Sequence, residues 1–159
     1  MENLWSPWRM KYITDYENPG KCVFCTSPKL EDGPENLIVH REKNCYLILN
    51  RFPYTTGHVM VVPFAHKHTL EALTPEIRAD MMELVTRTIG VMRKEYKPQG
   101  FNVGINLGTA AGAGIAEHVH IHIVPRWVGD TNFMSTVGET RVLPEELEVT
   151  YKRLVKAWK

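Results

Sequence analysis

The sequence predicts an α+β fold: an antiparallel sheet with one long helix and a second helix at the C-terminus. Short apolar, β-rich runs follow one another without helical crossovers, which argues for antiparallel pairing rather than βαβ units. One stretch, "TPEIRADMMELVTRTIGVMRKEY", repeats its apolar residues with a helical period. The chain has 159 residues, 43% of them hydrophobic, which is enough for one domain with a core and too few for two.

In chain order, residues 1–21 read as an irregular arm carrying Trp5, Pro7, Trp8, Pro19 and Gly20. Residues 26–36, rich in Pro, Asp, Glu and Gly, read as loop. "NCYLILN" (44–50) and "HVMVVP" (58–63) are strands of a hairpin joined by "RFPYTTG". Thr74 suits the N-cap of the long helix and Pro75 its first position. Ile77, Met81, Leu84, Val85, Met92 and Tyr96 form its apolar face, and Pro98 and Gly100 stop it. "FNVGINLG" (101–108) is a strand, followed by the glycine-rich loop "TAAGAG" and a further strand within "AEHVHIHIVPRW" (116–127). Residues 128–143 read as loop. Residues 144–159 close the chain as an amphipathic helix, with Leu147, Tyr151, Leu154, Val155 and Trp158 on one face.

Composition narrows the function classes. A net charge of +1 gives no case for a nucleic-acid binder. No apolar run reaches the length of a membrane span, and the N-terminus lacks the apolar segment of a secretory signal. The expectation is a cytoplasmic protein. Three cysteines are an odd number, so "CVFC" reads as a metal or redox motif rather than a disulfide staple. Cys45, inside a strand, reads as a small core residue.

Three of the seven histidines, His118, His120 and His122, alternate along one strand. Alternation sends them to one face, with neighbours about 6.8 Å apart, while Val119, Ile121 and Ile123 face a core. A solvated face built from three imidazoles is one reading. The second is a catalytic zinc held by three histidines. The third is nucleophilic attack by a neutral imidazole on phosphorus. The upstream stretch "NLGTAAGAG" lets backbone approach a ligand closely, and its free N–H groups suit an anion. That favours phosphate chemistry.

"HVHIHIV" is similar to the signature of the histidine triad (HIT) family of nucleotide hydrolases and transferases, and "LILNRFPYTTGHVMVVPFAHKHTLEAL" resembles that family's upstream half. "HIHIVPRWVGDTNFM" and "AAGAGIAEH" look like the branch that contains bacterial diadenosine tetraphosphate phosphorylases. The resemblance implies a single HIT-like domain over residues 1–159, a homodimer, and cleavage of a dinucleoside polyphosphate through a nucleotidyl-histidine. The expected reaction is diadenosine tetraphosphate plus phosphate giving ADP and ATP. By resemblance His120 is the nucleophile, with His122 and His58 beside the reacting centre. Asn50 matches a ribose contact, and Asn106, Gly112, Gly114 and Ile115 match the phosphate-binding stretch. Gly114 stands where many members carry Gln, which shifts phosphate binding towards backbone amides such as that of Ile115.

The resemblance also suggests a closed structural zinc site, one per chain. Some HIT proteins and the related galactose-1-phosphate uridylyltransferases complete such a site with two histidines. The matching ligands are Cys22, Cys25, His66 and His118, with His68 left to solvent. Arg126 and Trp127 are candidates for an acceptor site, Arg126 pairing with phosphate in a forked geometry and Trp127 covering it. The alternative is a plain loop with Trp127 in the core or a dimer contact. Rival functions are a dinucleoside polyphosphate or phosphoramidate hydrolase, a nucleotide-binding regulator with vestigial catalysis, and a metallohydrolase using the three histidines as ligands.

Overall fold

The computed structural model describes residues 22–130 and 144–159; the arm predicted over 1–21 and most of the loop predicted over 128–143 lie outside them. The chain starts with a single turn, α1 (Val23–Thr26), running into a 3-10 turn at Ser27–Lys29. It continues through β1 (Ile38–Arg41), β2 (Cys45–Leu49), β3 (Val59–Pro63), α2 (Pro75–Glu95), β4 (Gly100–Gly104), a 3-10 turn at Thr109–Ala111, β5 (Ile121–Arg126) and α3 (Leu147–Trp158). The five strands form one antiparallel sheet in the order β1-β2-β3-β5-β4. The α+β class and the hairpin joining β2 to β3 are as the sequence predicts.

Thr74 caps α2 as expected, its hydroxyl accepting from the Ile77 N–H, with Pro75 at the first position. Met81, Leu84, Val85 and Met92 are buried from that helix. The stop is sharper than proline alone would make it: Lys97 takes a left-handed φ of 50° just before Pro98. Tyr151 and Leu154 are buried from α3, which packs on β1 and against α2. Cys45 is fully buried. Among the described residues, no helix is long and apolar enough to cross a membrane.

Three boundaries differ from the sequence reading. β1 was not foreseen; it is four residues long and its register slips between Ile38 and His40, so no alternation marks it. β4 ends at Gly104 rather than 108, since the chain turns away towards the glycine-rich loop. The ladder of β5 begins at Ile121, so His118 and His120 precede it and only His122 sits within the strand.

One rung of the sheet runs Ile48, Met60, His122, Gly104. These side chains share a face, and the two helices cover the opposite one. The turn that delivers His58 to this face is closed at both ends. The Asn50 N–H donates to the His58 carbonyl at 3.0 Å, and the Thr55 hydroxyl donates to the Pro125 carbonyl at 3.0 Å. Gly57 has φ +79°, and a Cβ there would lie 2.9 Å from the Met92 methyl. We expect Gly57→Ala to cost about 1–2 kcal/mol, the usual penalty of a left-handed backbone for a residue with a Cβ. Gly33→Ala, with nothing within 4 Å, should stay within about 0.5 kcal/mol. Urea denaturation of both variants measures the difference.

Candidate active site and metal centre

The segment 118–122 serves two centres. His120 is 4% exposed, and its Nδ1 is 2.8 Å from the His118 carbonyl. A carbonyl only accepts, so Nδ1 carries the proton and Nε2 keeps its lone pair. The His122 tautomer follows from a chain of donors. The Tyr54 backbone N–H donates to His58 Nδ1 at 3.1 Å. The His58 proton therefore sits on Nε2, 2.9 Å from His122 Nδ1, which accepts it. His122 is left with its own proton on Nε2. The Phe52 N–H donates to Asn50 Oδ1 at 2.9 Å, which turns the Asn50 amide nitrogen towards the ring nitrogens of His58, 3.3 and 3.4 Å away.

His120 and His122, with ring centroids 4.8 Å apart, line a cavity of about 290 Å³. Burial holds both imidazoles below the ordinary histidine range, and for His122 burial and the neighbouring His120 together bring the pKa to about 4. Both rings are neutral near pH 7: His120 with a free lone pair on Nε2, His122 with an Nε2–H to donate. Asn50, Asn106, Gly112, Gly114 and Ile115 line the same cavity. Gly108 and Gly112 adopt left-handed φ values of 79° and 83°, which fold the loop back towards the histidines, and Asn106 Nδ2 donates to the Gly112 carbonyl at 3.5 Å. Within the described residues, no hydrogen bond takes the amides of Gly114 and Ile115.

Arg126 and Trp127 do not line this cavity. Arg126 pairs across the sheet with Gly100 and His122 with Gly104, four residues apart along β5 or about 13 Å. Its guanidinium is engaged by Asp130 at 2.6 and 2.7 Å and by Asn102 at 2.8 Å. The cavity is walled instead by residues the sequence left unmarked: Phe24, Leu37, Ile48, Tyr54 and Met60. Apolar side chains carry no chemical signal, although Phe24 lies inside "CVFC". Its ring sits 4.9 Å from that of His120.

The second centre gathers Cys22, Cys25, His66 and His118, with ligand atoms all within 4.8 Å of one another. Cys22 Sγ is 3.4 Å from His118 Nδ1, Cys25 Sγ is 3.2 Å from His66 Nδ1, and Cys25 Sγ is 3.6 Å from His118 Nδ1. Bonds of about 2.3 Å to sulfur and 2.0–2.1 Å to nitrogen around a tetrahedral zinc put ligand atoms roughly 3.3–3.8 Å apart, so the donor set fits that ion. His118 Nε2 donates to the Pro63 carbonyl at 2.9 Å, which leaves Nδ1 as the coordinating nitrogen. Burial pushes the Cys22 thiol up to about 11, so a cation must displace its proton to be bound. His68 is exposed and lies outside the cluster.

The chain is similar to known proteins in both sequence and fold. The HIT domain family model matches residues 33–128. AP-4-A phosphorylase of Mycobacterium tuberculosis is 40% identical over 166 aligned positions, covering 99% of this chain and 85% of that protein. A bis(5'-nucleosyl)-tetraphosphatase (asymmetrical) of Schizosaccharomyces pombe is 33% identical, over 58% of this chain and 50% of that one. Among solved structures, a Zn-bound histidine triad family protein from Mycobacterium smegmatis superposes with a TM-score of 0.68 at 29% identity, covering 86% of this chain and 92% of that one.

The neutral state of His122 has a consequence for stability. Its folded pKa of about 4 lies below the ordinary value of 6.5, so between these pH values the unfolded chain binds more protons. The contribution is complete above pH 6.5 and is lost as pH falls towards about 4. Replacing His122 with Asn should therefore flatten the fall in melting temperature across that window, as measured by calorimetry.

Proposed function

The chain belongs to the HIT-domain family, and from that premise we propose that it is an enzyme that cleaves diadenosine tetraphosphate with inorganic phosphate, giving ATP and ADP, through a covalent nucleotidyl-His120. The observation that carries this reading is the bond from His120 Nδ1 to the His118 carbonyl, which leaves a neutral Nε2 lone pair beside a cavity with room for one nucleoside. Nε2 attacks the α-phosphorus. The N–P bond forms, the bridging P–O bond breaks, and ATP leaves with the bridging oxygen. His122 Nε2–H, oriented through His58 and the Tyr54 amide, donates to the phosphate oxygen on which charge builds. Hydrogenphosphate then attacks the same phosphorus. The new P–O bond makes ADP, the N–P bond breaks, His120 regains its lone pair, and the acceptor's proton passes to solvent. The amides of Gly114 and Ile115 are the natural donors to the α-phosphate.

The metal in this reading is structural. A bound zinc supplies a fourfold cross-link and no open coordination position. Cys22, Cys25, His66 and His118 would hold it, tying α1 to the segment that bears the nucleophile. The same reading makes the protein a cytoplasmic homodimer. Three free cysteines suit a reducing compartment, and the edge strand β4 leaves Val103 44% exposed. A hydrolase is the second reading, and one observation favours it: Arg126 is committed to Asp130, away from the cavity, and so supplies no second anion site there.

Incubation with diadenosine tetraphosphate, with and without phosphate, separates the two readings. Phosphorolysis gives ADP and ATP only when phosphate is added. Hydrolysis gives AMP and ATP in phosphate-free buffer and is unmoved by phosphate. His120→Gly should lower kcat by roughly a thousandfold or more while AMP still binds. Metal analysis should find one zinc per chain. Cys25→Ser should abolish it and lower the melting temperature by roughly 10 °C, since the binding energy of a structural metal is folding energy. A full-strength melting transition in metal-free protein would remove zinc from the account.

A further inference from the structure

The sheet rung that carries His122 extends through Met60 to Ile48, so the cavity reaches two strand spacings, about 10 Å, away from the reacting imidazoles. That is the scale of a nucleoside. With its α-phosphate at His120, a nucleotide must place its base at this far end. The apolar walls run from Phe24 and Met60 beside the imidazoles to Ile48 and Leu37. Among the polar lining residues, Ser27 and Asn36 lie together beside Leu37, the Asn36 amide bonding the Ser27 carbonyl.

The two differ in what they have left to offer. The Asn36 amide is consumed by the loop it organises. Its nitrogen donates to the carbonyls of Ser27 and Leu30 and to Asp32, and its oxygen accepts from the N–H groups of Gly33 and Ile38. Ser27 is the reverse case. Its backbone is pinned, the N–H donating to the Val23 carbonyl and the carbonyl accepting from Leu30 at 3.1 Å and from Asn36 at 3.3 Å. The residue is 7% exposed, yet its hydroxyl has no partner among the described residues. The hydroxyl is not sealed from solvent, so water can satisfy it in the free protein, and a ligand that covers it must replace that water or leave the group unpaired. Next to it Leu37, 3% exposed, takes a left-handed φ of 60°, so this wall is held in a conformation a branched side chain disfavours.

We propose that Ser27 is a specificity-determining residue: its hydroxyl hydrogen-bonds the polar exocyclic substituent of the purine, accepting from an amino group or donating to a carbonyl, while the apolar walls sandwich the ring. The assignment rests on the nucleotide reading above. It makes the site selective for substituted purines over a bare purine ring, because only the former satisfies the hydroxyl.

Calorimetric binding of AMP and of purine riboside 5'-monophosphate, which lacks the exocyclic group, tests this without turnover. The wild type should bind AMP about 3- to 10-fold more tightly, the range of one neutral hydrogen bond. In Ser27→Ala that ratio should collapse to about one, with an unchanged melting temperature and zinc content. Ser27→Thr keeps the hydroxyl and should keep the preference. With diadenosine tetraphosphate as substrate, the loss in Ser27→Ala should fall on KM and leave kcat within about twofold, since the bond is made equally in ground and transition states. A wild type that binds the two monophosphates equally, or an alanine variant that still discriminates, overturns the role of Ser27 and leaves the nucleotidyl-transfer reading intact. A wild type that binds neither overturns both.

Discussion

The imidazole of His118 is fully buried, and each of its polar connections is committed to a different part of the chain. Nε2 donates to the Pro63 carbonyl at the end of β3, and Nδ1 faces the two cysteines and His66. The backbone carbonyl accepts from His120 Nδ1. A shift of this one residue would leave a donor unpaired in the interior, at a cost of about 1–3 kcal/mol. It would also free His120 to place its proton on Nε2. The Cys/His cluster and the imidazoles of the cavity are therefore one mechanical unit, joined by two residues of backbone.

The surroundings of that unit serve the same requirement, which is to keep imidazoles neutral and correctly protonated. Burial disfavours the imidazolium form of His120 and His122. The Tyr54 amide, held in the turn that Gly57 permits, sets the proton on His58 and through it the proton on His122. Phe24 joins the two centres again. Its ring packs on His118 and His120, and its carbonyl accepts from the Tyr46 hydroxyl at 2.7 Å, which anchors α1 to β2. A turn bracketed by the two cysteines of the cluster thus also walls the cavity.

Charge is sparse at the reacting centre. The cavity is lined by neutral histidines and the glycine-rich loop, and among its described lining residues Arg51 alone carries a full positive charge. On the reading proposed above, such a site would bind phosphate through oriented hydrogen bonds rather than through net charge, in keeping with a chain of net charge +1.

The sequence by itself determined the fold class, the hairpin, both long helices with their buried faces, and the residues that bear chemistry. Helical period, a Thr-Pro helix start and three alternating histidines are local patterns, and local patterns survive without tertiary context. The set Cys22, Cys25, His66 and His118 was legible through resemblance, and the fold brings the four together. What only the tertiary structure decided is which atoms face each other. The division of the three histidines between two centres depends on where the ladder of β5 begins, and that register is set by β3. The tautomers depend on carbonyls and amides of Pro63, His118 and Tyr54, which every residue possesses and no motif marks. β1 was invisible because it is short and its register slips. Arg126 looked free because sequence shows a charge but not its partner, and Asp130 closes on it only through the turn that ends β5. The cavity wall of Phe24, Leu37, Ile48 and Met60 is apolar, and in a sequence apolar residues that line a cavity are indistinguishable from those that fill a core.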